Sequence, residues 1–258
     1  MLRVIFCFFF IVMASCGQKS ATTSHPKSST PEEIRAQQKS RTALFNALVG
    51  RGVIEFHWRD DDGLHRVQGD FDFWRLGNSI SLRVSKAGEV LIWMGGDEQN
   101  HWMFDMLGDE TTLSINQKDV IFSDILDTLV LLGLNPLPNG DMTMKKGVVT
   151  VQTNERTWIA TFDPTTHRVL EIEVSDELHH ISALHRKGIK VELMDKNRLV
   201  WPVTGGLIDI KSTTEDAMTK IDFAWISTDT NEERMDRVFD LKFLQRALKP
   251  IKTTGLAQ

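Results

Sequence analysis

The sequence predicts a mainly β chain of the α+β class, its strands antiparallel and its helices few. Three observations predict this. From residue 52 onward, apolar and polar residues alternate with period two in one segment after another. Turn-forming groups divide those segments: Asp60-Asp61-Asp62-Gly63, Lys86-Ala87-Gly88 and Gly95-Gly96-Asp97. One stretch, 120–132, breaks the alternation with apolar residues at helical spacing.

The elements follow in order. Arg3 precedes an unbroken apolar run over 4–13, too short to span a bilayer as a helix. Ala14-Ser15-Cys16 closes it. This resembles the lipobox of secreted bacterial lipoproteins, in which the cysteine is lipidated and becomes the mature N-terminus. Residues 1–15 are thus expected to be a signal peptide. The Ser/Thr-rich segment 16–30, with Pro26, carries too little apolar surface to order itself and reads as a disordered tether. Thr30-Pro31-Glu32-Glu33 then opens a helix with a capping box and proline at the first helical position. Its apolar residues Ile34, Leu44, Phe45, Leu48 and Val49 carry it to about residue 49.

In the strands, Ile54, Phe56 and Trp58 alternate with Val53, Glu55 and His57. Val67, Gly69, Phe71 and Phe73 alternate with Gln68, Asp70 and Asp72. Ile80, Leu82 and Val84 follow, then 90–94, which is apolar on both faces, and 101–106. The second of those faces needs cover. The stripe Ile121, Phe122, Ile125, Leu126, Leu129, Val130 and Leu132 predicts a largely buried helix over 120–132, stopped by Gly133 and the Pro136/Pro138 segment. Further strands are expected near 147–153, 156–162, 168–175, 179–186, 189–194, 207–212 and 218–227. A closing helix is expected over 232–248, with Met235, Val238, Phe239, Leu241 and Leu244. Residues 31–258 read as one domain, since no linker flanks the central helix.

Composition excludes several functions. The cysteines are Cys7, inside the apolar run, and Cys16. A processed chain therefore has no disulfide, thiol nucleophile or cysteine metal site. Loss of Arg3 leaves 29 Lys+Arg against 35 Asp+Glu, net −6. That argues against nucleic acid as a partner and leaves membrane attachment to the lipid. Tyrosine is absent, while Phe (14) and Trp (7) are plentiful.

Chemistry-bearing motifs are weak. Asp60-Asp61-Asp62-Gly63 lacks the alternating ligands of a calcium loop and reads as a hairpin turn. His180 and His185, five apart on one strand, fall on opposite faces, and His179 adds no metal-ligand spacing. No Gly-x-Ser-x-Gly elbow or phosphate loop occurs, and Ser182-Ala183-Leu184-His185 lacks the lysine of a Ser-x-x-Lys signature. No catalytic residue, metal or cofactor is assigned. The aromatic faces are the consistent signal. Ile54/Phe56/Trp58, Phe71/Phe73, Trp102/Phe104 and Ile221/Phe223/Trp225 are expected on one side of the sheet. They either fill a core or line a site for an apolar ligand.

The order of elements is similar to the LolA/LolB superfamily of lipoprotein carriers and receptors. The likeness is carried by a leading helix before Gly52-Val53-Ile54-Glu55-Phe56 and by Phe73-Trp74 leading into Ser79-Ile80-Ser81-Leu82 and Gly88-Glu89-Val90. It continues in a helix ending Leu131-Leu132-Gly133-Leu134-Asn135-Pro136-Leu137-Pro138, then in Phe162-Asp163-Pro164 and Trp201-Pro202. It covers about residues 45–250. The resemblance implies a half-open antiparallel β-barrel of about eleven strands with a helical lid, its cavity holding acyl chains. The Cys16 anchor points to the LolB-like branch. That branch has an apolar hairpin tip. Here the matching turn, 85–88, has no large apolar residue, and Leu137 is the nearest substitute.

The expected protein is a non-catalytic lipoprotein, held by lipid (palmitate or a similar acyl group) on Cys16 at the periplasmic face of the outer membrane. The outer membrane is expected because Gly17 follows the cysteine. The chain would be a monomer that binds acyl chains or lipoprotein cargo and serves lipoprotein localisation. Its cavity is expected to use Ile54, Phe56, Trp58, Phe71, Phe73, Trp102, Phe104, Leu126, Leu129, Ile221, Phe223 and Trp225. The alternatives are an envelope scaffold with a filled core and a lipoprotein enzyme acting on glycans or lipids.

Overall fold

The first helix, α1 (Pro31–Thr42), opens on Thr30 as its sequence dictates. The Thr30 hydroxyl accepts the Glu33 N–H at 3.2 Å, and the Glu33 carboxylate accepts the Thr30 N–H at 3.0 Å. The structure is a computed structural model. It describes residues 30–255, except 61–62, 117–124, 164–167, 177–178, 186–192, 196–197, 201–204, 213–217 and 230–236. The expected signal peptide, Cys16 and the expected tether up to residue 29 lie outside the described residues.

The chain leaves the helical path sooner than its periodicity predicts. A 3-10 turn, Ala43–Phe45, ends α1, and β1 (Ala47–Asp60) already contains Leu48 and Val49. Pairing explains this. β1 pairs along its whole length with β2 (Gly63–Leu76), from Ala47 opposite Leu76 to Asp60 opposite Gly63. Local helical preference is a weak prior against a ladder of that length. The hairpin's two turn residues, 61–62, lie outside the described residues.

β3 (Ser79–Lys86) and β4 (Glu89–Gly96) are joined by Ala87 and Gly88, both at positive φ, the backbone of a two-residue hairpin turn. β5 (His101–Asp105) and β6 (Thr112–Ile115) complete the first run. α2 (Ile125–Leu131) follows; the earlier part of the predicted helix lies outside the described residues. It stops where the sequence predicts. Gly133 has φ 71°, and the Leu134 N–H returns to the Leu129 carbonyl at 2.8 Å.

The second run is β7 (Asp141–Lys145), β8 (Val148–Gln152), β9 (Thr157–Phe162), β10 (Val169–Ser175) and β11 (His179–His185). β12 (Leu193–Asp195) and β13 (Arg198–Val200) pair only with each other. The single strand expected at 189–194 is therefore part of a separate small hairpin. β14 (Gly205–Ser212), β15 (Met218–Asp229), α3 (Leu241–Leu248) and β16 (Lys252–Thr254) close the chain. α3 is shorter than the helix predicted from 232. Asp240 caps it, accepting the Phe243 N–H at 3.0 Å, so Val238 and Phe239 precede the helix. Met235 lies outside the described residues.

Among the described residues fourteen strands form one sheet, in the order β16-β6-β5-β4-β3-β2-β1-β15-β14-β11-β10-β9-β8-β7. Its edges, β16 and β7, do not pair with each other, so the sheet is not closed into a barrel. Where the resemblance implied a half-open barrel of about eleven strands, the described residues form one open sheet of fourteen. β6, β7 and β16 have only five residues or fewer, too few for an alternation to stand out.

The sheet nevertheless curls. β2 and β9 are six strand spacings apart, roughly 29 Å on a flat sheet. Yet the short α2 segment meets both sides. Arg156, just before β9, pairs with Asp127 of α2. Arg75 of β2 donates to the Leu134 carbonyl at 2.6 Å. Asp127 to Leu134 spans only about 10 Å at helical rise. The strands must bend around α2 to make both contacts. No helix among the described residues is long and apolar enough to cross a membrane.

Candidate functional site: an apolar cavity under the central helix

Register decides which side chains share a face. Paired residues in an antiparallel ladder point the same way. Ile54 stands opposite Gly69 and Phe223, Phe56 opposite Val67 and Ile221, and Gly52 opposite Phe71 and Trp225. Ile54, Phe56, Trp58, Phe71, Phe73, Ile221, Phe223 and Trp225 therefore do lie on one face, as predicted.

Trp102 and Phe104 do not. Gly95 pairs with Trp102 and Trp93 with Phe104, while Met94, one residue away, points to the face shared by Leu82. Trp102 and Phe104 stack edge to face at 5.7 Å on the opposite side. There they form a second core with Leu113, Ile115 and Leu244 of α3. α3 is thus the cover that the doubly apolar strand β4 required. On that side Trp93 also stacks on Trp74 at 6.3 Å and donates its indole N–H to Ser81.

Between the sheet and α2 lies a cavity with about 610 Å³ of empty space, its open mouth included. Its floor comes from Ile54, Phe71, Phe73, Ile221, Phe223 and Trp225, joined by Ile80, Leu82, Met94 and Ile208. α2 contributes Ile125 and Thr128, and Leu132 follows just after the helix; these residues recur on one helical face. Trp102 borders the wall beside Gly95. Thr128 and His101 are the polar side chains of the wall.

Two close approaches shape the floor. A Cβ at Gly50 would lie 2.1 Å from the Trp225 ring, and one at Gly52 would lie 2.5 Å from the Phe71 ring. Each ring takes the place over bare backbone that a side chain would otherwise fill. Trp225 meets Phe71, Phe73 and Phe223 edge to face, at 5.0, 5.4 and 6.3 Å. These mutual contacts hold the floor without filling the space.

The helix over the cavity is held at both ends. Arg156 pairs with Asp127 and, at 3.5 Å, with Asp176 after β10. Arg75 is buried and donates to the carbonyls of Gly77 and Leu134 and to the Asn135 side chain, at 2.8, 2.6 and 2.7 Å. Burial pushes its guanidinium down to about 10, so it is still charged at neutral pH. Three oxygens compensate that charge.

Other expected wall residues fall elsewhere. Phe56 and Leu129 are buried in the surrounding core but do not face the cavity. Trp58 is half-buried near the hairpin end, stacked on His65 at 5.1 Å. Leu126 is exposed, because α2 turns the line of Ile125 and Thr128 inward and leaves position 126 on its outer flank. Leu137 is buried, with its N–H on the Gln38 side chain, and so is not an exposed apolar tip. His180 is half-buried on the face opposite Ile181 and Ala183; the side chains of His179 and His185 lie outside the described residues. Among the described residues no three His, Cys, Asp or Glu side chains gather as a metal site.

Ile80, Leu82, Met94, Ile208 and His101 were not assigned to the site from sequence. The alternation in β3 marked Ile80 and Leu82 as apolar, but only register puts them beside Phe73. His101, a polar residue opening a short strand, carried no signal.

No protein-family model matches this sequence, and none of the curated proteins does. Among solved structures, a DUF1329 family protein from Desulfovibrio piger is similar at 11% identity and a TM-score of 0.48, over 84% of this chain and 98% of that one. An outer membrane lipoprotein-sorting protein domain from Vibrio parahaemolyticus is similar at 9% identity and a TM-score of 0.45, over 84% of this chain and 97% of that one.

Proposed function

We propose that this chain binds an acyl chain in the cavity under α2 and does so without catalysis. In this reading it is a lipid-anchored protein, held by Cys16 on the periplasmic face of the outer membrane and serving lipoprotein localisation. The curled sheet acts as a half-open barrel and α2 as its lid. The observation that carries the reading is the cavity itself: among the described residues its wall is apolar apart from one hydroxyl, one imidazole and the indole N–H groups of Trp102 and Trp225. Such a wall offers an alkyl chain burial and little else. About 0.8 kcal/mol per buried methylene gives roughly 10 kcal/mol for twelve of them. Several kcal/mol of lost freedom offset this and leave an affinity between about a millimolar and a micromolar.

The test is to fill it. Leu82 faces the cavity, so Leu82→Trp puts an indole where the chain would lie. Displacement of a fluorescent fatty-acid probe should show saturable one-to-one binding by the wild type. The Leu82→Trp variant should lose it while keeping its melting temperature within a few degrees. No saturable uptake by the wild type would end the lipid-binding reading.

A further inference from the structure

Among the described wall residues, every one is buried except His101, which is half-buried. The wall therefore meets solvent at His101, the first residue of β5. The opposite end of the lining, at Ile208, Ile221 and Phe223, is fully buried and has no polar side chain.

The rim around His101 is polar and firmly built. The His101 N–H donates to the Asn116 side chain at 2.9 Å, and the Asn116 N–H donates to the His101 carbonyl at 2.9 Å. The Asn116 amide also donates to Asn100 at 3.2 Å. Asp97 ties the turn by accepting the Gln99 and Asn100 N–H groups, and Asn78 donates to Glu98. Two carboxylates and three carboxamides thus border the mouth. Among the described residues the nearest cation in the same row of the sheet is Arg75, two strands beyond Gly96, with its three donors engaged by Gly77, Leu134 and Asn135.

We propose that the cavity takes a single-chain amphiphile in one direction, with an uncharged hydrogen-bonding head group, such as an ester or hydroxyl, at His101 and the chain end at Ile208 and Phe223. This rests on the lipid-binding reading above and adds polarity and head-group class to it. The imidazole can donate to or accept from a neutral head. An anionic head would sit beside Asp97 and Glu98 at a cost. A reversed ligand would bury its head among Ile208, Ile221 and Phe223 with no partner.

The test uses the full chain in phosphatidylcholine nanodiscs and monopalmitoylglycerol carrying a photoreactive diazirine, either near the ester or at the chain end. Peptide mass spectrometry maps the labelled residues. The near-ester probe should label around 100–103, and the chain-end probe around 206–223. His101→Leu should weaken monopalmitoylglycerol binding about tenfold, and His101→Gln no more than about threefold, since a side-chain amide can replace the bond. Palmitate should bind more weakly than its glyceryl ester at pH 8. A reversed or position-independent labelling pattern, equal losses in the two variants, or tighter palmitate binding would overturn the proposed orientation and head class. An absence of cavity labelling by either probe would overturn the lipid-binding reading along with it.

Discussion

At the scale of single residues, the site depends on what is missing from the sheet as much as on what is present. Gly50 has no side chain, and the Trp225 ring occupies that place. Gly50→Ala should push Trp225 upward into the cavity, lower stability by about 1–3 kcal/mol in urea titration and weaken probe binding together with it. Binding that stays at the wild-type level while stability falls would place the displaced ring elsewhere. Arg75 makes the converse case, a buried cation held by three oxygens. Arg75→Met leaves those acceptors without their donor and should cost about 2 kcal/mol. The cost should not vary between pH 5 and 9. Arg75 is a base whose folded value, about 10, lies below its ordinary one. The unfolded chain therefore holds that proton more tightly only between those values, and the group's contribution to stability rises only as pH climbs through about 10. A slope confined to the neutral range, present in wild type and absent from the variant, would contradict this. Residue identity gave no warning of either role. Gly50 precedes the readable alternation in β1, and Arg75 looks like any surface arginine at a strand end.

At the scale of elements, α2 is the part whose position matters most, and opposite charges pin it. Asp127 on the helix meets Arg156, which also meets Asp176. Both ends of the first pair are mostly buried, so it is worth more than a surface pair. Asp127→Asn should speed amide hydrogen exchange across Ile125–Leu131 while leaving β1 and β2 protected, and should quicken probe entry. Uniform exchange across the sheet would show that the pair serves global stability instead. The elements themselves were largely readable. The capping box at Thr30, the stop at Gly133 and the alternating faces of β1, β2, β3 and β15 all follow from local rules. What local rules could not supply was register. The aromatic pattern of β5 looked like that of β1, yet the pairing of Gly95 with Trp102 sends Trp102 and Phe104 to the other face, beneath α3. The boundary between α1 and β1 went the same way. Leu48 and Val49 fit a helix stripe locally, and only the ladder to β2 draws them into a strand.

At the scale of the whole molecule, one curled sheet carries two cores: a large one on its inner face with the cavity, and a small one outside under α3. The inner face was foreseen from its aromatics. The strand count was not, because β6, β7 and β16 are too short for an alternation to stand out. Attachment at Cys16 would hold this sheet near a membrane on a tether. Cys16→Ser should abolish incorporation of a tagged fatty acid; undiminished label on the variant would refute that anchor. The central claim is that the space under α2 belongs to a lipid chain. Native mass spectrometry of the purified protein tests it most directly. The account predicts one noncovalent adduct with the mass of a single lipid, released on collisional activation and absent from Leu82→Trp. A wild-type protein that carries no adduct, and acquires none after incubation with monopalmitoylglycerol, would contradict it.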